Sequence, residues 1–330
     1  MKNNKRLYTM LAMLCALLVL FIGYKTAVSM NEAKERKAAE EAAAKDAENV
    51  IADYSFKKAT AISYTKKGAE TISLVFQNNR WMCETDATFP IKQTTAAYMA
   101  NALASMKASS IVQSETHDMD AYGLTDPAWR FTISYSDDTG DHTHTYLYGD
   151  YNDFSDAYYF MEEGKEKVYL VVAGLTDFFE YSLHDLADAG TFPVISKDKF
   201  DSVDLTFGGE TVHLAGEDIT EAFVQLLNVL QPSSFVTHHV NAETKAEYGL
   251  TSPWMTVKVN YKEMVTVTDT NGEASDSKVE QMRSFTLHLG DALEGVDGED
   301  GMTPYLVDGY TFVYTMPQSV VSSLEGYLAQ

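Results

Sequence analysis

Three groups of side chains have the types and spacings that chemistry uses. His142 and His144 are two apart, so in a strand both imidazoles leave one face within range of a common metal ion. No third ligand accompanies them, and a tip carrying Asp137, Asp138 and Asp141 explains them better as solvated hairpin residues. His238 and His239 alternate faces in a strand and cannot chelate together. The second group is a pair of acidic loops that follow a Gly-Asp dipeptide. One offers Asp150, Asn152, Asp153 and Asp156, the other Asp291, Glu294, Asp297, Glu299 and Asp300. Oxygen-rich loops of this kind can hold Ca²⁺, but neither has the EF-hand spacing, and charged hairpin loops are ordinarily just hydrated. The third group is aromatic: Tyr158, Tyr159, Phe178, Phe179 and Tyr181. Such residues line carbohydrate or peptide grooves, yet strand cores use them equally, and core packing is the default.

Motifs that would name a reaction are missing. The chain has no Walker A loop, Gly-x-Ser-x-Gly elbow, His-Glu-x-x-His helix or Cys-x-x-Cys pair. The reading is therefore a protein that is not an enzyme, with no catalytic, cofactor-binding or metal residue assigned and no cofactor. Any ATP chemistry belongs to another chain.

The elements that carry these residues follow from composition and pattern. The 330 residues include 25 Lys+Arg and 48 Asp+Glu, a net charge of −23. That balance excludes a nucleic-acid partner, because phosphates are repelled over most of the surface. Two cysteines, Cys15 and Cys83, exclude a disulfide framework, and Cys83 reads as a buried structural residue.

The start of the chain reads as a membrane anchor. Lys2, Lys5 and Arg6 precede the uncharged, mostly apolar run from Leu7 to Tyr24, and Lys25 closes it. As a helix the run spans about 27 Å, close to the hydrocarbon thickness of a bilayer. The basic tail keeps the N-terminus in the cytoplasm and sends the rest outside, as a single-pass protein of the cell membrane. A cleaved secretory signal is the rival, with Ala27-Val28-Ser29 as its small-x-small site. Retention is favoured because the apolar run exceeds a typical signal core. Leu14 before Cys15 argues against lipid attachment there. Residues 31–50, rich in Ala, Glu and Lys, then read as a solvated helical stalk with i,i+4 pairs Glu32–Arg36, Lys37–Glu41 and Glu41–Lys45.

Beyond the stalk the chain repeats itself. Tyr122-Gly123-Leu124-Thr125-Asp126-Pro127 recurs as Tyr248-Gly249-Leu250-Thr251-Ser252-Pro253. In the strand after each, Trp129, Phe131, Ile133 and Tyr135 answer Met255, Val257, Val259 and Tyr261 as a core face. Tyr146–Asp150 then answers Leu287–Asp291, the second copy being longer by an insertion in the polar Val267–Arg283 stretch. Val168–Val171 answers Phe312–Thr315, and the amphipathic segments Leu175–Leu183 and Gln318–Leu328 close the copies. Upstream, hairpins Ile62–Phe76 and Val203–Leu214 precede helices Thr95–Met106 and Ile219–Leu230. On the first helix Ala97, Tyr98, Leu103 and Met106 form the apolar face. The expected fold is α+β: an N-terminal transmembrane helix (1–30) and helical stalk (31–50), then two tandem repeats of an antiparallel-sheet-plus-helix domain (51–190 and 191–330). The Tyr-Gly-Leu motif reads as a folding corner, since Gly permits positive φ and Pro fixes its own.

These motifs, with the Arg80-Trp81 strand end ahead of a helix, resemble the bacterial domain-of-unknown-function 4340 (DUF4340) family. The resemblance covers roughly residues 50–330. It implies an extracytoplasmic, membrane-tethered accessory component of an ABC-type transport system, of the kind linked to gliding motility, with permease and ATPase chains as partners. No functional residues come with it. The alternatives are an extracytoplasmic solute- or glycan-binding protein and an envelope hydrolase that uses acidic residues.

Overall fold

Alternating apolar residues, tight turns and an Ala-rich leading segment produce a long helix followed by a two-stranded ribbon and two large antiparallel sheets. The computed structural model describes residues 3–54, 59–112, 118–175, 177–230, 232, 234–268, 274–294 and 301–328. They form two compact units, Met1–Leu186 and Ala187–Gln330.

Helix α1 (Asn3–Glu48) has 46 residues, about 69 Å of rise. The side chains of residues 3–23, where the expected anchor falls, lie outside those described. Among the described residues no helix is long and apolar enough to cross a membrane. Of the expected stalk pairs, Lys37–Glu41 is made at 3.8 Å, while Arg36 turns forward to Glu40 (3.6 Å) instead of back to Glu32. These exposed pairs add only tenths of a kcal/mol each, about what i,i+4 pairs contribute. The helix end is clamped to the first unit. Lys107 Nζ reaches Asp46 at 2.6 Å, Lys167 Nζ donates to Glu48 O (3.4 Å), and Ala108 N donates to Asn49 O (2.8 Å).

In the first unit the chain runs through β1 (Val50–Asp53), β2 (Ala59–Lys66), β3 (Ile72–Gln77), β4 (Arg80–Cys83), α2 (Gln93–Ala104) and β5 (Ser105–Lys107). It continues through β6 (Ser110–Ile111), β7 (Trp129–Asp137), β8 (Gly140–Asn152), β9 (Ala157–Glu162) and β10 (Val168–Val171). β1 pairs with β5, and eight strands form one sheet in the order β4-β3-β2-β7-β8-β9-β10-β6, with antiparallel pairing throughout among the described residues. Phe131, Ile133, Tyr146, Tyr148 and Phe160 are buried on one face of this sheet. Helix α2 covers it with Ala96, Met99, Ala100 and Leu103. The helix face differs from the expected one. Tyr98 points to solvent at 59% exposure, because the small alanines, not the tyrosine, complete the i, i+3, i+4, i+7 stripe. Met106 is buried in β5, beyond the helix. The closing segment also departs from expectation. It is two 3-10 turns, Ala173–Leu175 and Asp177–Phe179, and not a helix. Phe179 is drawn into the core against Tyr64 and Phe131, and its aromatic neighbours favour helix poorly.

The second unit contains β11 (Phe200–Phe207), β12 (Glu210–Ala215), α3 (Glu221–Val229), β13 (Phe235–Thr237), α4 (Ala242–Glu247), β14 (Met255–Thr268), β15 (Ala274–Leu289), β16 (Met302–Val307), β17 (Val313–Pro317) and α5 (Gln318–Glu325). Its seven-stranded sheet has the order β12-β11-β14-β15-β16-β17-β13. That is the order of the first sheet without its edge strand β4. Met255, Val257 and Val259 are fully buried, as the alternation requires. The β14–β15 pairing extends to Thr266↔Lys278 and beyond, which makes this hairpin longer than β7–β8. Helix α4 was not expected. Asn241 accepts from Glu243 N and Thr244 N, and Thr244 Oγ1 returns a bond from Asn241 N, a capping box that starts the helix. The last strand also corrects the residue matching. Val313 pairs with Leu306 as Val168 pairs with Met161, so Val313, not Phe312, answers Val168.

Candidate functional site

The Tyr-Gly-Leu corner and the Gly-Asp dipeptide, far apart in sequence, form one joint. Asp150 N donates to Tyr122 O at 2.9 Å, and Asp291 N donates to Tyr248 O at 3.0 Å. Gly123 has φ +65°, and a Cβ there would fall 2.5 Å from the Asp150 carboxyl carbon. A Cβ on Gly149 would fall 2.2 Å from Tyr122 O. Gly249 and Gly290 are confined in the same way by Asp291 and by Tyr248 O. Leu124 then plugs against Leu147, Met161 and Val168, and Leu250 against Leu306 and Val313. Both motifs are spent on packing.

His142 and His144 are likewise engaged separately. His142 and His144 share a face as expected, but each has its own carboxylate. His142 Nε2 lies 3.1 Å from Asp137 Oδ1, and His144 Nδ1 lies 2.8 Å from Glu162 Oε1. Tyr135 stacks on both rings, at 5.0 and 5.7 Å between centroids. Hydrogen bonds from the Thr139 hydroxyl and amide, and then His142, hold the Asp137 carboxyl well below the usual carboxylate range. His238 and His239 do not alternate along a strand, because β13 ends at Thr237. Their rings instead lie 3.8 Å apart.

In the first acidic loop the polar groups build the turn. Asn152 Oδ1 accepts from Phe154 N and Ser155 N, and the Tyr151 hydroxyl donates to Asp156. In the second loop, Asp297, Glu299 and Asp300 lie outside the described residues. Cys83 is buried, with Sγ 3.1 Å from Thr85 Oγ1. The aromatic group divides: Tyr158 stacks on Tyr148 and Tyr159 on Tyr122, whereas Phe179, packed on Phe131, and Tyr181 both line a cleft of the first unit. The Phe178 side chain lies outside the described residues.

Sequence reading missed the clefts. In the first unit the β2–β3 hairpin and the closing segment enclose a cavity of about 330 Å³ above Tyr64, Trp129 and Phe179. Its floor is apolar, and burial and the nearby Asp185 push the Tyr64 phenol far up. At its rim Lys66 Nζ donates to Glu180 Oε2 at 2.9 Å and sits 5.0 Å from the Trp129 ring centroid. In the second unit the β11–β12 hairpin and the last turn of α5 enclose about 370 Å³.

The two linings correspond at five positions. Lys66 pairs with Trp129 across β2–β7, and Phe207 pairs with Met255 across β11–β14. Ile72 faces Tyr64 where Val212 faces Leu205, and Glu70 and Glu210 each stand two residues earlier. Tyr169 and Tyr314 hold equivalent register, and Glu180 and Leu183 follow the first as Glu325 and Leu328 follow the second. All ten residues line their clefts. At these five pairs glutamates and aliphatics recur and Lys66 becomes Phe207. The aromatic floor of the first cleft, Tyr64 and Trp129, has Leu205 and Met255 at the equivalent register, neither of which lines the second cleft. Since a hairpin strand, a later strand and the chain end contribute to each wall, no short motif could have revealed it.

Fold and clefts define a two-unit antiparallel α+β protein with an acid-rimmed recess in each unit. A family model described as "Domain of unknown function (DUF4340)" matches residues 81–253, more than half of the chain. The chain belongs to that family. The matched stretch begins in β4 and ends on the proline of the second Tyr-Gly-Leu corner. No curated protein and no solved structure matches the chain.

Proposed function

We propose that this chain is a membrane-anchored extracytoplasmic interaction module, an accessory component of an ABC-type transport system. The segment Leu7–Tyr24 is its single-pass anchor, the N-terminus is cytoplasmic, and the two units are copies of one module. The observation that carries this reading is the clamp between α1 and the first unit. A helix joined to the first unit by Lys107–Asp46, Lys167–Glu48 and the β1–β5 pairing sets a fixed spacing between its start and the recess of that unit. A freely hinged linker would not. The matching strand orders and matching cleft linings support duplication. Excess negative charge suits a body that stands away from anionic headgroups.

Co-purification from detergent extracts tests the role. Permease and ATPase chains are expected with the full-length protein, with lower yield once residues 1–30 are deleted. Recovery of no transporter component removes the accessory reading. A second reading, solute or glycan binding, draws on the aromatic floor of the first cleft, whose volume suits a small ligand.

A further inference from the structure

At the five wall positions the clefts share, one changes from a cation to an aromatic ring, and that difference points to a ligand. In the first unit the recess already holds a cation from the chain itself: the Lys66 ammonium, bonded to Glu180 and lying over Trp129. In the second unit the equivalent glutamate, Glu325, and the rim acid Glu210 remain, while Phe207 takes the place of the lysine. Phe207, Val212 and Leu328 supply apolar walls suited to a methylene chain, and Phe207 is 47% exposed.

We infer that the second cleft receives a lysine side chain from a partner polypeptide, with its methylenes along Phe207 and Leu328 and its ammonium on Glu325 and Glu210. The chain performs in cis in one unit what the partner performs in trans in the other. The inference rests on the reading of the chain as an interaction module. It adds the chemistry of the partner: a lysine set among apolar residues, opposite a body of charge −23.

The test uses the purified full-length chain and the blocked peptide acetyl-Leu-Lys-Leu-amide, with its norleucine analogue as control. Trp254 stands edge-on to Phe207 at 5.6 Å and donates its indole N–H to Gly290 O. Its indole resonance, one of three in the chain and assigned by Trp254→Phe, reports the cleft. The lysine peptide is expected to shift it saturably and the norleucine peptide at least tenfold more weakly. Glu325→Gln should weaken binding severalfold, and Phe207→Lys should abolish it by placing an ammonium where Lys66 has one. Equal binding of the two peptides overturns the inference, as does undiminished binding by Phe207→Lys. Competition by n-butylamine as strong as the peptide's assigns the cleft to a small cation and overturns it too. Transporter co-purification that persists in Phe207→Lys while peptide binding fails sinks this inference and spares the accessory reading. Peptide binding without co-purification does the reverse.

Discussion

Gly123 and Asp150 are packed so closely that the glycine's missing Cβ would fall 2.5 Å from the carboxyl carbon, and Asp150 N bonds to the carbonyl just before that glycine. The same contact between Gly249 and Asp291 in the second unit makes it a packed corner common to both sheets. One corner explains both recurring dipeptides.

Gly123→Ala therefore combines a positive-φ penalty with a steric clash and is expected to cost on the order of 3 kcal/mol. Gly68 also has positive φ, but nothing lies within 4 Å of its Cβ position, so Gly68→Ala should cost only about 1 kcal/mol. Urea unfolding of the full chain compares them. Equal midpoints would contradict the corner.

The corner was half legible in the sequence. Tyr-Gly-Leu and Gly-Asp stood out by recurrence, as did the buried alternation through Phe131 and Val257, since a period of two needs only neighbours to be read. Their docking did not, because it joins residues distant in the chain. The face of α2 was misjudged for a related reason: Tyr98 is the largest side chain there, yet alanines at 96 and 100 give the sheet its close approach. Helix α4 went unread although Asn241 and Thr244 carry its capping box. The clefts were not, since Lys66, Trp129 and Glu180 are ordinary residues until three segments meet.

The clamp at the end of α1 can be measured by distance. Spin labels at positions 45 and 98, in a chain with Cys15 and Cys83 replaced, should give a single narrow distribution. A Gly-Gly-Ser insertion after Asn49 should broaden it. A broad distribution before insertion would show a hinged stalk.

Buried phenols predict alkaline behaviour. Burial pushes Tyr64, Tyr146, Tyr305 and Tyr314 far above the ordinary tyrosine value of 10.0. A group whose folded pKa is raised contributes stability below its unfolded pKa and loses it as pH climbs toward the folded one. Stability should therefore decline above about pH 10, where only the unfolded chain ionises these phenols. In absorbance titration they should ionise together with unfolding. Smooth ionisation of all 20 tyrosines near pH 10 in the folded chain would contradict their burial.

Asp137 predicts the opposite limb. Its carboxyl is depressed by Thr139 and His142, so its contribution is present above the ordinary value of 3.8 and fades as pH falls below it. Thr139→Ala should return the Asp137 carboxyl carbon titration toward the ordinary range. The difference in Tm between the two proteins should narrow between about pH 5 and pH 2. An unshifted titration in the variant would assign the depression elsewhere.

The most direct measurement is protease treatment of intact spheroplasts after alkaline carbonate extraction has fixed which fraction holds the full-length chain. The expected outcome is a chain that stays with the membrane pellet and whose sheet units are cut from outside, leaving a short N-terminal fragment. A chain released by carbonate, or one shielded from external protease until the cells are lysed, would contradict a tethered body facing outward.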